Sequence, residues 1–417
     1  MSSVRNAALL LAAAMLAACG TVVQNPVTGR AERSVMDEPA EIAEGRKAHA
    51  EVLKEYGAYP HPKLQAYVNG IGQKLAQASH RPQLPWTFTV LDSPEVNAFA
   101  LPGGFVYITR GIMAYLDSEA DLAGVLGHEI GHVTARHGAQ RATRAQTAGL
   151  GVFAATVLGV ALEGVGVRGA ADAAGSISQS VAAGYIASYS REQELQADQL
   201  GAEYLARTQY DPKNMVDVIR MLKNQEEFAA QVARAEGRNP REEGGASWLA
   251  SHPSSDQRLN EIMDIAHKKA AERQGRIVDD GRARYLQAID GITFGEGRDQ
   301  GVARGRQFFH EPLDFAITAP AGWKIRNGSA ALLIVNAAQD AALVLRPVPP
   351  QAGSDHAAIL RDFVKAEGGR IERLTLGGAF PATHYAGPRR NAQGQLVPVE
   401  LALATGAGSR VYSLQYA

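Results

Sequence analysis

Cysteine is the scarcest residue type in this 417-residue chain, and Cys19 is its only instance. A lone cysteine excludes an internal disulfide framework. A bias of charge is also missing, because 42 basic residues are matched by 43 acidic ones and the formal net charge is −1. This balance gives no overall electrostatic case for binding nucleic acid or an anionic membrane surface. What the chain does have is 46% apolar residues and a length typical of two or three domains, which indicates a globular protein.

An apolar run near the N-terminus predicts export. Ala7–Ala18 has the length of a signal-peptide core and is shorter than the roughly 20 residues of a membrane-spanning helix. It ends in Leu16-Ala17-Ala18-Cys19-Gly20, which resembles the lipobox of bacterial lipoproteins, in which the cysteine is lipidated. The alternative is a cleaved signal with an incidental cysteine. The resemblance implies a signal peptide over 1–18, a lipidated flexible tether over 19–37 and, without an aspartate after Cys19, anchoring to the outer membrane.

Two amphipathic helices and two strands are predicted ahead of the central motif. Apolar residues at three- and four-residue spacing predict helices over 40–56 and 62–78. Runs rich in β-forming residues predict strands over 86–91 and 105–109. We expect an extended substrate to pair with an exposed edge of the second strand, because β-addition recognises the backbone with little demand on sequence.

The strongest chemical signal is His128-Glu129-Ile130-Gly131-His132, an HExxH sequence in a stretch that predicts a continuous helix. At 3.6 residues per turn, His128 and His132 face the same way and can hold one metal ion. Glu129 then lies close enough to act on a water molecule held there.

The borders of this helix follow from its flanking residues. Ser118 predicts the start as an N-cap, and Gly138 predicts a left-handed stop, so the motif is expected in the middle of the helix. His137 follows His128 by nine residues, which is about half a turn away at 100° per residue. We interpret His137 as a surface or structural histidine that points away from the metal.

A third metal ligand is predicted 62 residues after His132, in a second helix capped by Ser190. Catalytic zinc commonly has three protein ligands, and two histidines with one glutamate form a known set. Glu194 would supply the carboxylate. Asp198, one turn later on the same face, would accept the free N–H of a ligating imidazole. The alternative is a solvated acidic face, which the pairing with an upstream HExxH disfavours.

Together these segments resemble the HtpX-like and CAAX-prenyl-endopeptidase-like zinc metallopeptidases, a gluzincin family. The resemblance covers roughly residues 38–275 and rests on Asn97-Ala98-Phe99-Ala100, the HExxH sequence, the segment 190–198 and Ser251-His252-Pro253. It is closest to the soluble periplasmic branch that acts in outer-membrane β-barrel assembly. It implies one Zn²⁺ per chain on the positions of His128, His132 and Glu194, with Glu129 as the general base. Tyr189, His252 and Arg258 are the candidate donors to the oxyanion.

His252 has two interpretations. Pro253 restricts it to an extended conformation in a loop that can move. In the barrel-assembly branch the matching histidine can occupy the fourth zinc position, so the resemblance implies a self-inhibited resting state and a catalytic role for His252. The alternative is a structural histidine that bonds locally.

The rest of the chain carries no catalytic pattern. The alanine- and glycine-rich stretch 147–183 is either a lid over the cleft or ordinary helical packing. Residues 276–307 are predicted as a linker, and short alternating strands after 308 predict a C-terminal α+β binding domain that contacts a protein partner. The fold class is therefore α+β, with a mainly helical peptidase domain and a small sheet, followed by a small α+β domain.

Two functions fit this pattern. The first is a periplasmic endopeptidase that cleaves unfolded or misassembled envelope proteins. The second is an assembly chaperone or scaffold with a structural or blocked zinc site. Glu129 favours the first, because a structural site needs no general base beside an open position.

Overall fold

The computed structural model describes residues 21–25, 28–34, 36–143, 189–235, 248, 252, 256–271, 279–327, 331–338, 341–377, 379–390 and 395–416. The chain divides into two compact units, Met1–Ile292 and Thr293–Ala417. The predicted signal peptide, Cys19 and the stretch 147–183 lie outside the described residues. Within the described part of the chain, no helix is both long enough and apolar enough to cross a membrane.

The first unit is mainly helical. Its elements in chain order are β1 (Thr21–Gln24), β2 (Ala31–Ser34), α1 (Glu38–Tyr56), α2 (Pro62–Gln77), β3 (Thr87–Leu91), β4 (Ala98–Leu101), β5 (Phe105–Thr109), α3 (Arg110–Met113), α4 (Glu119–Thr134), α5 (Arg191–Arg207), α6 (Asn214–Ala235), α7 (Asp256–Ala271) and α8 (Arg282–Ile289). The last of these lies within the stretch predicted as a linker, and its Tyr285 is fully buried in the core of this unit.

The predicted flexible tether contains a hairpin instead. β1 and β2 pair antiparallel along their whole length. The turn between them is closed by Asn25, whose N–H donates to the Arg30 carbonyl at 2.9 Å. The expectation of a flexible segment is therefore wrong for these strands.

The small sheet has the strand order β3-β5-β4, with β5 parallel to β3 and antiparallel to β4. β5 is thus the central strand, and all five of its residues are buried. The prediction that this strand offers an exposed edge to substrate is wrong, because β3 and β4 occupy both of its sides. Within this sheet β4 is an edge strand, and α4 packs against it.

The helix α4 carries the HExxH sequence and is buried over all 16 of its residues. Its start is as predicted, since the Ser118 hydroxyl accepts from the Asp121 N–H at 3.1 Å. The predicted stop at Gly138 is wrong: α4 ends at Thr134, Arg136 takes a left-handed φ of 60°, and residues 137–143 are helical again. The motif therefore lies in the last turns of α4.

A close crossing of α4 and α5 explains the glycine inside the motif. A Cβ added to Gly131 would lie 2.7 Å from the Ala197 carbonyl oxygen, which is shorter than real Cβ contacts. Glycine therefore lets the two backbones touch. This contact brings the first turn of α5 beside the two histidines.

The second unit is built on an antiparallel sheet of seven strands in the order β12-β13-β14-β15-β11-β10-β9, with a separate sheet in the order β6-β7-β8. The strands are β6 (Val302–Arg304), β7 (Gln307–His310), β8 (Phe315–Thr318), β9 (Lys324–Asn327), β10 (Leu332–Val335), β11 (Ala342–Pro347), β12 (Arg370–Leu376), β13 (Phe380–Arg390), β14 (Leu396–Thr405) and β15 (Val411–Tyr416). A helical segment, 356–364, packs its Ile359 and Leu360 on the large sheet. The α+β class is confirmed.

Candidate metal centre

Four buried side chains converge at the end of α4: His128, His132, Glu194 and His252. One ligand atom from each lies within 4.8 Å of the others. The two histidines of α4 place their Nε2 atoms 3.0 Å apart, as the spacing predicts. Glu194, in the first turn of α5, places Oε1 3.4 Å from His132 Nε2 and Oε2 3.6 Å from His128 Nε2.

The second helix is positioned by its cap. Ser190 accepts from the Gln193 N–H at 3.3 Å and Gln193 Oε1 accepts from the Ser190 N–H at 3.2 Å, which is the reciprocal capping box. With the start fixed, Glu194 and Asp198 share one face of α5, and both are fully buried.

Asp198 accepts a hydrogen bond from His128 on the side of the ring that faces away from the cluster. Its Oδ1 lies 2.8 Å from His128 Nδ1, so this nitrogen carries the hydrogen and Nε2 is left with its lone pair toward the cluster. Burial acts to raise the pKa of Asp198, but Arg258 and His128 outweigh it and hold that pKa below its usual range. The residue is therefore ionised at neutral pH and accepts.

Arg258 supplies the compensating positive charge. Its guanidinium donates through Nε to Asp198 Oδ2 at 2.9 Å and through Nη2 to Oδ1 at 3.0 Å. Its Nη1 lies 2.8 Å from Glu194 Oε2. Burial acts to raise the pKa of Glu194, but His252, His132 and Arg258 lower it well below its usual range. A guanidinium engaged by two carboxylates is not aimed at a reacting carbonyl, which removes Arg258 from the candidate oxyanion donors.

The donor set fits zinc. Tetrahedral zinc with bonds of roughly 2.0–2.1 Å sets its ligand atoms about 3.3 Å apart. Five donor pairs of this cluster, with both oxygens of Glu194 counted, lie between 3.0 and 3.6 Å apart, and this range includes that spacing. Imidazole and carboxylate are also the ligand types that zinc takes in catalytic sites.

Comparison with known proteins agrees with this geometry. Residues 62–266 match the model of peptidase family M48. The chain carries a peptidase family M48 domain. That family is zinc-dependent, so the domain is a metalloprotease domain, and the resemblance seen in the motifs is confirmed.

Several curated relatives are similar to part of this chain. The chain is 29% identical over 211 residues to the β-barrel assembly-enhancing protease of Yersinia pestis, which covers 50% of this chain and 40% of that protein. It is 27% identical over 244 residues to the protein of that name in Escherichia coli K12, with 57% and 46% covered. Mitochondrial metalloendopeptidase OMA1 of Schizosaccharomyces pombe is 26% identical over 253 residues, with 60% and 68% covered. The chain thus spans less than half the length of the two barrel-assembly relatives.

Glu129 is placed beside the cluster in the peptidase domain. It is fully buried, and its Oε1 accepts from the Trp248 indole Nε1–H at 3.1 Å and lies 3.4 Å from His252 Nε2. Its Oε2 has no hydrogen-bond partner among the described residues. A buried carboxylate oxygen left unpaired costs free energy, and such groups persist where function needs them.

His252 contacts the cluster directly. Its Nδ1 lies 3.0 Å from Glu194 Oε1 and 3.1 Å from His128 Nε2, and its carbonyl accepts from Arg258 at 3.2 Å. Its ring stacks on Trp248 with centroids 4.6 Å apart. Both side chains are 1% exposed. Trp248 and His252 therefore both contact Glu129, and His252 also contacts the cluster.

His137 departs from the sequence-based interpretation. It is fully buried, so it is not a surface residue, and its Nδ1 lies 2.8 Å from His132 Nδ1. The extrapolation at 100° per residue fails because α4 ends at Thr134 and the left-handed Arg136 reverses the chain. A structural role is consistent with these contacts.

The sequence does not predict the contacts that two aromatic residues, Tyr189 and Trp248, make near the cluster. Tyr189 stacks on His132 with ring centroids 3.8 Å apart. Trp248 donates to Glu129, as described above. The signal for Trp248 in the sequence is a large aromatic residue four positions before His252, which by itself does not say which carboxylate the indole contacts.

Proposed function

We propose that this protein is a zinc-dependent endopeptidase of the bacterial periplasm, anchored to the outer membrane through Cys19, that hydrolyses misfolded or misassembled envelope proteins. The observation that carries the proposal is the unpaired Oε2 of Glu129 beside a His128, His132 and Glu194 ligand set. The export segment and the lipobox-like residues before Cys19 support the location. The relatives named for β-barrel assembly support the substrate class.

In this proposal, different residues bind the metal, transfer the proton and orient the ligands. His128, His132 and Glu194 would hold zinc, which supplies a Lewis acid that lowers the pKa of water to about 7. Glu129 takes the proton from the attacking water through its free oxygen. The same carboxyl group then passes this proton to the leaving amine. Asp198 keeps the hydrogen of His128 on Nδ1, so the ligating nitrogen stays unprotonated.

An extended substrate fits beside β4 rather than β5. β4 is an edge strand of its sheet and lies against α4. The backbone N–H of Trp248 donates to the Val96 carbonyl at 2.7 Å, just before β4 begins. A strand added at this edge would make the same kind of bond. A substrate would take the place of this contact.

A second candidate function rests on the same segment. Trp248 and His252 together engage Glu129 and the metal ligands, so a permanently blocked site would leave a chaperone or scaffold that binds unfolded proteins without cutting them.

Removal of the metal tests the enzyme proposal. We expect the wild-type protein to degrade casein and an unfolded outer-membrane protein, to lose this activity in a chelator and to regain it when zinc is added back. The reason is that zinc on these ligands would polarise the carbonyl and lower the pKa of the attacking water. Gel analysis of digestion with measured zinc content is the readout. Cleavage that is indifferent to chelation would contradict the mechanism, and zinc-loaded protein that binds but never cleaves would favour the chaperone.

Replacement of His252 tests the resting state. The one hydrogen on His252 Nδ1 is shared between Glu194 Oε1 at 3.0 Å and His128 Nε2 at 3.1 Å, and a hydrogen bond to a charged group contributes about 1.5 kcal/mol or more, so its loss shifts the population of the closed state by roughly tenfold or more. We therefore expect His252→Ala to raise the rate of casein cleavage by tenfold or more. His267→Ala, at an exposed position of α7, is the matched control and should change nothing. An unchanged rate in His252→Ala would exclude the self-inhibited state, and a large loss would assign His252 to transition-state stabilisation.

A further inference from the structure

The hairpin β1–β2 is hydrogen-bonded to the side of the metal centre away from the ligand cluster, and Asn25 is one of the residues that make this connection. Asn25 follows β1, is 3% exposed, and donates from Nδ2 to Gln196 Oε1 on α5 at 3.2 Å. The same Nδ2 donates to Glu32 Oε1 at 3.0 Å. The hairpin is therefore hydrogen-bonded to the helix that carries Glu194.

From Gln196 the contacts continue to a metal ligand. Gln196 Oε1 lies 3.2 Å from His137 Nε2, and His137 Nδ1 lies 2.8 Å from His132 Nδ1. Asn25, Gln196, His137 and His132 thus form one chain of hydrogen bonds that ends on the side of His132 away from the cluster.

The direction of every bond in this chain is fixed at its hairpin end. The Thr28 backbone N–H donates to Asn25 Oδ1 at 3.1 Å, and a backbone N–H cannot act as an acceptor. The Asn25 amide must therefore turn its Nδ2 toward Gln196. Since Nδ2 can only donate, Gln196 presents its oxygen, and this oxygen is shared with His137.

The histidines then have no choice of tautomer. A neutral imidazole has one donor and one acceptor nitrogen. Because Gln196 Oε1 only accepts, His137 Nε2 donates and His137 Nδ1 accepts. His132 Nδ1 must then donate, which leaves its Nε2 free of hydrogen and facing Glu194 and His128. The reversed chain, with the Gln196 amide turned over, would put the hydrogen on Nε2 and exclude a metal.

We propose that the hairpin residue Asn25 is a positioning residue for the metal centre, acting through Gln196 and His137 to fix the tautomer of His132. It does for His132 what Asp198 does for His128, but with neutral groups. The inference rests on the proposed function only in that His132 binds zinc.

Variants that keep the shape but change the hydrogen-bond polarity test this proposal. Asn25→Asp still accepts from Thr28 but cannot donate, so Gln196 turns its NH₂ group inward and the chain reverses. Gln196→Glu presents only acceptor oxygens and preserves the direction. Gln196→Leu removes the link. Gln24→Glu is the control, because among the described residues the Gln24 side chain bonds to the Gly29 carbonyl within the hairpin.

The readout is the zinc dissociation constant of the full chain, measured by chelator competition, together with the melting temperature of the zinc-free protein. We expect Asn25→Asp and Gln196→Leu to bind zinc about 10- to 100-fold more weakly, with Gln196→Glu and Gln24→Glu close to wild type. A merely structural role would rank the variants by melting temperature instead. Wild-type affinity in Asn25→Asp, or equal loss in Gln196→Glu and Gln196→Leu, would overturn the proposal. A wild type that binds zinc but cleaves nothing would overturn the proposed function and leave this comparison valid.

Discussion

Glu129→Gln is expected to abolish proteolysis while zinc stays bound. The glutamine has the same shape, and it can still accept from the Trp248 indole as the glutamate Oε1 does at 3.1 Å. What it cannot do is take a proton from water at neutral pH. General bases contribute about 10²- to 10⁴-fold to the rate, so we expect turnover of casein to fall by about three orders of magnitude.

The control and the zinc assay make this result specific. Glu192→Gln alters an exposed carboxylate in the first turn of α5 and should leave the rate unchanged. Zinc content should be equal in the wild type and both variants, because Glu129 is not among the ligand atoms. Substantial cleavage by zinc-loaded Glu129→Gln would remove Glu129 from the mechanism.

Local periodicity was enough to predict the elements that carry the candidate ligands. The spacing of His128 and His132 and the cap at Ser190 both depend on residues within one or two turns, and the structure reproduces both. The strand β5 also begins and ends where its β-forming residues predict. In each case the information lies within the element itself.

Contacts between distant segments could not be predicted in this way. The sequence of β13 does not read as a strand, because Pro381, Gly387 and Pro388 interrupt its pattern, and pairing with β12 and β14 makes it one. The central place of β5 depends on how three strands assemble, which alternation does not encode. His137 was misplaced for a similar reason, since one left-handed residue, Arg136, redirects the chain after α4.

Arg258→Leu is expected to be the most destabilising single change at the centre. It removes the partner of Asp198 and Glu194, all three of which are at most 1% exposed. Breaking a buried ion pair by removing one partner costs about 3–5 kcal/mol, because the remaining charge is left uncompensated. For a domain of this size that corresponds to a fall of roughly 10 °C in melting temperature. Thermal unfolding of the full chain in a chelator measures it.

Two comparisons separate charge from packing. Arg258→Lys keeps the charge but loses the two-pronged contact with Asp198, so its loss should be intermediate. Arg282→Leu removes an ion pair with Asp117 in which both side chains are more than half exposed, and it should cost less than about 1 kcal/mol. An Arg258→Leu protein as stable as Arg282→Leu would show that the buried carboxylates do not depend on the guanidinium.

The stabilisation that Arg258 provides through Asp198 should depend on pH. Burial acts to raise the pKa of Asp198, but Arg258 and His128 hold it below its usual range. Its contribution to stability is thus present above the unfolded pKa of about 3.9 and is lost as the pH falls through the depressed folded pKa. The difference in unfolding free energy between wild type and Arg258→Leu should be largest near neutral pH and shrink below about pH 4. Bound zinc should make this free-energy difference smaller at neutral pH, because the cation also compensates the charge of Glu194. Denaturant unfolding of both proteins, with and without zinc across this pH range, measures both trends. A difference that grows on acidification would contradict the ion-pair account.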